Sequence, residues 1–386
     1  MFESIPIVQI LICLISGALV ISFSFLRRAS GFLVLSLLGI ALVYRQLAVG
    51  YVLINVIVLL FVTSLARITA NSDAKRRLRW RWSCAALIAL VVAFIVGRWY
   101  QIETKGLLVG GIEWSLFSVD MWLLLRLVTF LWEFGSGRIA QPSLLTFAIW
   151  TCMPFTVFGP LLRYSQFESQ LPFMREAEVA RAVYTRTWVL NALRATALLV
   201  CGITLSRLHA TMFASGTQGV PYWIKLLDSF GISPWSFLLT WWGFYKLMEC
   251  LALMWSVSLP PSFNAPFGRP NISEFWANWN MTATSVFRDY LFYTRWGQQR
   301  VNLYLNTLII FFLVGLWHGA NWYWVIWGML HGIGFCCFIW YRHRRASKQF
   351  ETNGATMRIL GPILTYVFVC SCWILPSRIL KVLGQI

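Results

Sequence analysis

Two histidines in this sequence sit where a titratable group is expensive. His318 lies in the run FFLVGLWHGANWYWVIWGML, between Gly315 and Gly319 and next to Trp317, and His331 follows thirteen residues later. Ionisable side chains inside apolar runs are candidates for function by default. An imidazole titrates near neutrality, so it can take the proton of an attacking hydroxyl. For His331, a hydrogen bond to a backbone carbonyl is an equal alternative. Asn280 is the third candidate. If 274–291 is helical, Trp276, Asn280, Ala283, Phe287 and Tyr290 fall on one arc about 80° wide, which would set a lone amide on an apolar stripe. An amide can donate to or accept from a reacting group, but it does not titrate near neutrality.

Other polar residues at depth read as structural. Asp120, Arg126 and Glu133 share one apolar segment, and Lys246 and Glu249 stand at i,i+3 in another. Both sets are expected to form ion pairs facing the interior. The nine cysteines (13, 84, 152, 201, 250, 336, 337, 370, 372) all fall in apolar runs, without CxxC pairs or other zinc spacing. They read as small hydrophobes, and no metal site is expected. GxSxG, GxxxxGK[ST], HExxH and GxGxxG are all absent.

The elements that must position these groups follow from composition. Of 386 residues, 59% are apolar and 12% charged, against roughly 45–50% and about 25% in soluble domains. This excludes a soluble enzyme, a disordered chain and a disulfide scaffold. An all-α polytopic membrane protein remains. Segments of about 20 apolar residues run over 5–26, 31–46, 47–66, 83–99, 114–133, 142–162, 187–206, 233–256, 303–320, 322–340 and 358–376. The first, with Glu3 before it and no basic leader, is expected to be a retained helix. The charge of +18 is the mark of cytoplasmic loops rather than of nucleic-acid binding. It gathers at Arg27 and Arg28, in KRRLRWR at 75–81 and in RHRRASK at 342–348. Loops 67–81 and 342–348 are expected inside and 207–232 outside. All basic loops fall inside only if one segment does not cross. The run 142–162, with Pro142, Pro154, Gly159 and Pro160, is the natural re-entrant one. That leaves about ten transmembrane helices. The aromatic, polar stretch 257–302 suits short interfacial helices. The chain reads as a single membrane domain over 1–386.

GLWHG at 315–319, preceded by FWANWNMTATSVFRDYLF at 275–292, resembles the membrane-bound O-acyltransferase family, nearest to its alginate O-acetyltransferase and teichoic-acid D-alanyl-transfer branch. PFTVFGPLLRYSQF at 154–167, LPPSFNAPF at 259–267 and WGMLHGIG at 327–334 are similar to further family blocks, in the same order. The resemblance covers about 115–340, the expected acyltransferase core. It implies helices around a central tunnel in which a thioester donor and a hydroxyl acceptor meet. His318 matches the family's catalytic histidine. Asn280 matches its second functional position, which the resemblance makes His in most bacterial polysaccharide acetylators and often Asn in lipid- and protein-acylating members. Arg288 and Asp289 match the RDY triplet, Arg163 the arginine of the proline block and His331 the later histidine. Trp276 and Trp317 flank the two catalytic candidates. TWWGFYKLMEC at 240–250 has Thr240 where an acid is expected, which leaves the acceptor open.

The reading is an O-acyltransferase moving an acyl group, acetyl by resemblance, to an extracytoplasmic glycan or lipid. No cofactor is bound, and acyl-CoA or an acylated carrier protein is the donor. The expected partners are the lipid bilayer and proteins of a polysaccharide-modification system. The expected place is the bacterial cytoplasmic (inner) membrane. A transporter or a non-catalytic acyl-relay scaffold is the alternative.

Overall fold

The computed structural model describes residues 5–22, 31, 33–38, 48–69, 73–103, 108–109, 112–113, 121–139, 142–171, 185–214, 216, 219–292, 300–346 and 354–384. Its helices are α1 (Ile5–Ser22), α2 (Ala48–Ile68), α3 (Asp73–Glu103), α4 (Met121–Ser136), α5 (Leu144–Cys152), α6 (Tyr164–Glu168) and α7 (Arg186–Met212). They continue with α8 (Tyr222–Leu227), α9 (Ser233–Met254), α10 (Ile272–Asn278), α11 (Met281–Phe287), α12 (Arg300–His318), α13 (Trp322–Ala346) and α14 (Gly354–Val382). A minimal antiparallel pair, Leu108–Val109 with Ile112–Glu113, interrupts the helices.

Among the described residues five helical segments are long and apolar enough to cross a membrane: Tyr51–Ile68, Lys75–Gly97, Arg186–Met212, Trp322–Arg345 and Arg358–Val382. Gln9–Val20 and Leu303–His318 are shorter apolar helices. Leucine, isoleucine and valine side chains on α3, α7 and α14 (Ile88, Val96, Leu193, Val200, Ile363, Leu364) face outward, which suits hydrocarbon and not water. This is a multi-pass membrane protein. The expected ten crossings are not all seen. The segment 233–256 does form one helix, but three tryptophans, Lys246 and Glu249 make α9 a mixed surface. Most of 31–46, along with Arg27, Arg28 and Asp120, lies outside the described residues. The run KRRLRWR is not a loop either; it forms the opening turns of α3.

The described chain divides into two compact units. Unit 1 is Met1–Ala192 with Tyr245–Pro260, and unit 2 is Leu193–Phe244 with Pro261–Ile386. In unit 1 the re-entrant reading of 142–162 has its counterpart in α5, which is only nine residues long. A 3₁₀ turn follows at Pro154–Thr156, and the chain then runs without helix to Arg163. Gly159 has φ +89° and a cis bond to Pro160. A Cβ there would press on the Tyr245 hydroxyl at 2.8 Å, so glycine is required twice over. Every residue from Ile149 to Val157 is buried. Such a broken backbone needs donors from elsewhere. Arg126 supplies two, donating to the Thr151 carbonyl and to Thr156 Oγ1, both at 3.0 Å, and its other terminal nitrogen donates to the Tyr51 hydroxyl at 2.7 Å. Glu133 accepts from Ser165 Oγ at 2.9 Å. Arg126 and Glu133 therefore reach different partners rather than each other, while Asp120, the third member of the expected set, lies outside the described residues. Lys246 and Glu249 do pair, at 3.0 Å. Cys201 and Cys337 are exposed rather than packed, while Cys13, Cys152, Cys250, Cys370 and Cys372 are buried.

In unit 2, α12 and α13 form an antiparallel hairpin around Gly319–Asn321. Asn321 Oδ1 caps α13 by accepting from the Trp324 amide at 3.2 Å. Glycines set the separation of the pair. A Cβ on Gly328 would collide with the Phe311 carbonyl and one on Gly315 with the Trp324 carbonyl, and Gly332 continues the close face beside Phe311. Gly328 and Gly332 thus form a small-xxx-small seam. Gly328→Val is expected to force the helices apart, destabilising by about 1–3 kcal/mol. Thermal unfolding in detergent should show a lower Tm; a wild-type Tm would show that the seam does not set the packing.

Candidate active site

The site is built on the hairpin and on the stretch before it. The expected helix 274–291 is two helices. α10 ends at Asn278, Trp279 is extended, and Asn280 takes φ 42° and ψ 51° before α11 begins. Left-handed backbone is costly for most side chains and is tolerated best by Gly, Asn and Asp, so an asparagine here is itself a backbone signal. The break is pinned by the Met281 amide donating to the Ser262 carbonyl at 2.7 Å and the Asn264 amide to the Asn278 carbonyl at 3.1 Å. Thr284 Oγ1 donates to the Trp279 carbonyl at 3.0 Å. Asn280 thus stands at the N-cap of α11 instead of mid-helix, and its side chain makes no cap bond. The stripe read from the wheel is not packed core. Trp276, Asn280, Ala283 and Phe287 all line one cavity of about 600 Å³, whereas Tyr290 is buried away from it.

One face of α12 forms the opposite wall, through Leu303, Thr307, Ile310, Phe311, Val314, Trp317 and His318. At 1.5 Å per residue, Leu303 to His318 makes a slot about 22 Å long. His318 stands at one end of that wall. The bond from Cys336 Sγ to the Tyr304 carbonyl at 3.6 Å fixes the register of the hairpin. It carries the α13 lining residues Arg342 and His343 to the Leu303 end.

His318 ends α12 in a frame of indoles. Its ring stacks on Trp324 at 4.9 Å and 19°, meets Trp327 edge-on at 5.0 Å, and lies 4.7 Å from Trp317. Gly319 leaves room for Trp324, since a Cβ there would strike its ring. The glycines beside His318 therefore allow close approach, Gly315 of the Trp324 backbone and Gly319 of the Trp324 ring. Among the described residues neither nitrogen of His318 has a hydrogen-bond partner, and the half-buried ring faces the cavity. The arrangement is that of an imidazole held by shape. Asn280 lines the same cavity, its Oδ1 buried without a partner.

A profile of the membrane-bound O-acyltransferase family matches residues 48–380 of the chain. The chain belongs to that family. Among curated relatives it is similar to a peptidoglycan O-acetyltransferase of Helicobacter pylori, 33% identical over 135 residues, which is 34% of this chain and 25% of that protein. A probable alginate O-acetylase of Azotobacter vinelandii is 30% identical over 135 residues, 34% of this chain and 26% of the relative. A teichoic acid D-alanyltransferase of Bacillus subtilis is 26% identical over 155 residues, 38% and 39% of the two chains. The matches span a quarter to two fifths of these relatives' lengths.

Within this O-acyltransferase fold the remaining candidates separate. Trp317 and Trp276 line the cavity, as does Arg288, whose Nε donates to Asp289 Oδ1 at 2.9 Å. Arg163 does not line it; it is the N-cap of α6 in unit 1. His331 is not a cavity residue either. It is 1% exposed, edge-on to Trp276 at 5.1 Å and 4.7 Å from Trp327. Among the described residues neither of its nitrogens has a hydrogen-bond partner, so the expected bond to a carbonyl is not seen. His331 instead backs two of the indoles of the site. Sequence reading missed Trp324, Thr307, Arg342 and His343. The first is placed by helix packing, and the last two had registered only as loop charge.

Proposed function

We propose that the protein is a membrane O-acyltransferase of a bacterial cytoplasmic membrane, moving an acetyl group from a thioester to a hydroxyl of an extracytoplasmic glycan or lipid. The observation that carries this reading is His318 at one end of a long, aromatic-walled slot whose other end carries Arg342 and His343. A flexible thioester arm with an anionic head suits that shape, with phosphate near Arg342 and His343 and the thioester at His318. Acyl-CoA and an acylated carrier protein share that chemistry. Positive charge at 342–345, beside the slot's basic end, supports setting that end in the cytoplasm.

In the reaction, His318 takes the proton of the acceptor hydroxyl as its oxygen attacks the thioester carbonyl. The carbonyl oxygen becomes an oxyanion, and the Asn280 amide is placed to donate to it or to orient the acceptor. Collapse of the intermediate breaks the C–S bond, and the thiolate leaves with the proton that His318 holds. The new ester and the free thiol account for every atom. The indole walls exclude water, which would otherwise compete as acceptor.

Purified protein supplied with acetyl-labelled thioester and a membrane glycolipid extract is expected to produce label bound as alkali-labile ester, with one thiol released per ester. Thiol release without ester, or no reaction with any thioester, would refute the assignment.

A further inference from the structure

A second cavity, of about 410 Å³, opens in unit 1 against the start of α3. It is lined by Arg76, Arg77, Trp80, Arg81, Gly135 and Ser136. We propose that Arg76, Arg77 and Arg81 converge there to seat the phosphate headgroup of an anionic phospholipid.

Positions 76, 77, 80 and 81 share one side of a helix, so the run KRRLRWR gathers its charge instead of spreading it. The guanidiniums are free for a ligand. Arg76, Arg77 and Arg81 are exposed, and among the described residues none of them is in an ion pair. They are not spent on capping α4, since the Glu133 carbonyl already accepts from the Arg138 and Ile139 amides and the Phe134 carbonyl from Gly137. Arg79 differs. Its guanidinium lies over the Phe134 ring at 5.3 Å, and Gly137, at φ +84°, is pressed against it so closely that a Cβ would sit 2.8 Å from Nη2. Arg79 therefore holds the wall and leaves its three neighbours for the ligand. Trp80 is fixed by an edge-on contact with Trp132 at 5.0 Å.

Position decides between a lipid and a free anion. The apolar segment Lys75–Gly97 begins at this cluster, which puts the pocket at headgroup depth. Leu78 and Trp82, at 39% and 53% exposure, point outward beside it, where acyl chains would lie. Arginine forks match phosphate oxygens bidentately, and basic pockets between membrane helices are suited to anionic headgroups. A topological signal alone needs charge; it does not need three guanidiniums around a concave pocket.

The test titrates the purified full-length protein in detergent with phosphatidylglycerol, phosphatidylcholine or inorganic phosphate, reading bound lipid by native mass spectrometry. Saturable phosphatidylglycerol binding is expected, without phosphatidylcholine binding at the same concentration and without displacement by millimolar phosphate. Arg77→Gln should weaken it about tenfold, and Arg76→Gln/Arg77→Gln/Arg81→Gln by about a hundredfold or more. Ser136→Glu, which keeps every arginine but puts a carboxylate in the pocket, should weaken it at least tenfold. Unchanged affinity in monodisperse Arg77→Gln and Ser136→Glu would overturn the proposal. So would equal phosphatidylcholine binding, and displacement by phosphate would make the site one for a free anion.

Discussion

Replacing His318 by alanine is expected to lower acyl transfer by about 10²–10⁴-fold, the usual loss when a positioned base is removed. The protein should still reach the membrane and remain monodisperse. No other imidazole can substitute: His343 lies at the far end of the slot, His331 is shut behind Trp276 and Trp327, and His209 is not in the cavity wall but bonded to Asp228 at 2.7 Å. The residue also packs against Trp324 and Trp327, so activity must be normalised to folded protein. Turnover should fall with little change in the KM for donor, because the proposed site would hold the arm along the slot through other residues. The wild-type rate should fall as pH is lowered, since only neutral imidazole accepts a proton. Wild-type turnover in His318→Ala would end the assignment of this histidine as base.

The second large effect is expected at Asn280, and the backbone dictates how to look for it. At φ 42°, alanine adds a strain of about 1–2 kcal/mol, which confounds a simple deletion. Asn280→Gly keeps the turn and removes only the amide. It should lose about 10²–10³-fold, the usual loss for one oxyanion donor, without moving the acid limb of the pH–rate profile. Asn280→Asp also fits the turn but places negative charge where an oxyanion develops, and it should be at least as damaging. Asn280→His accepts the same backbone region and restores the residue that the family resemblance places there, so it should retain the most activity. Specific activity near wild type in Asn280→Gly would show that the residue serves the turn alone.

His318, Asn280, Trp276 and Trp317 were legible because each is chemically out of place, or bulky, in an apolar run. The wheel over 274–291 found the right face for a wrong reason. It assumed one helix, yet the left-handed break at Asn280 still presents Trp276, Asn280, Ala283 and Phe287 to one cavity. Proline and glycine marked the break in the segment 142–162, because backbone without helical bonding needs them. What held that segment was not legible. Arg126 and Glu133 are seven residues apart, which says that they share a face but not that they reach different partners. Trp324 was equally hidden, since its place over His318 depends on glycines that bring α12 and α13 together. Arg163 was carried by resemblance alone, and it does not line the cavity.

The central claim is that the acyl thioester occupies the slot ending at His318. A non-hydrolysable thioether analogue of the donor, carrying a photoreactive group on its acyl end, tests this in the purified protein. Crosslinked peptides should map to 276–287 and 310–318, and excess unlabelled donor should abolish them. Crosslinks confined to residues outside the cavity, or labelling that excess donor leaves unchanged, would contradict the account.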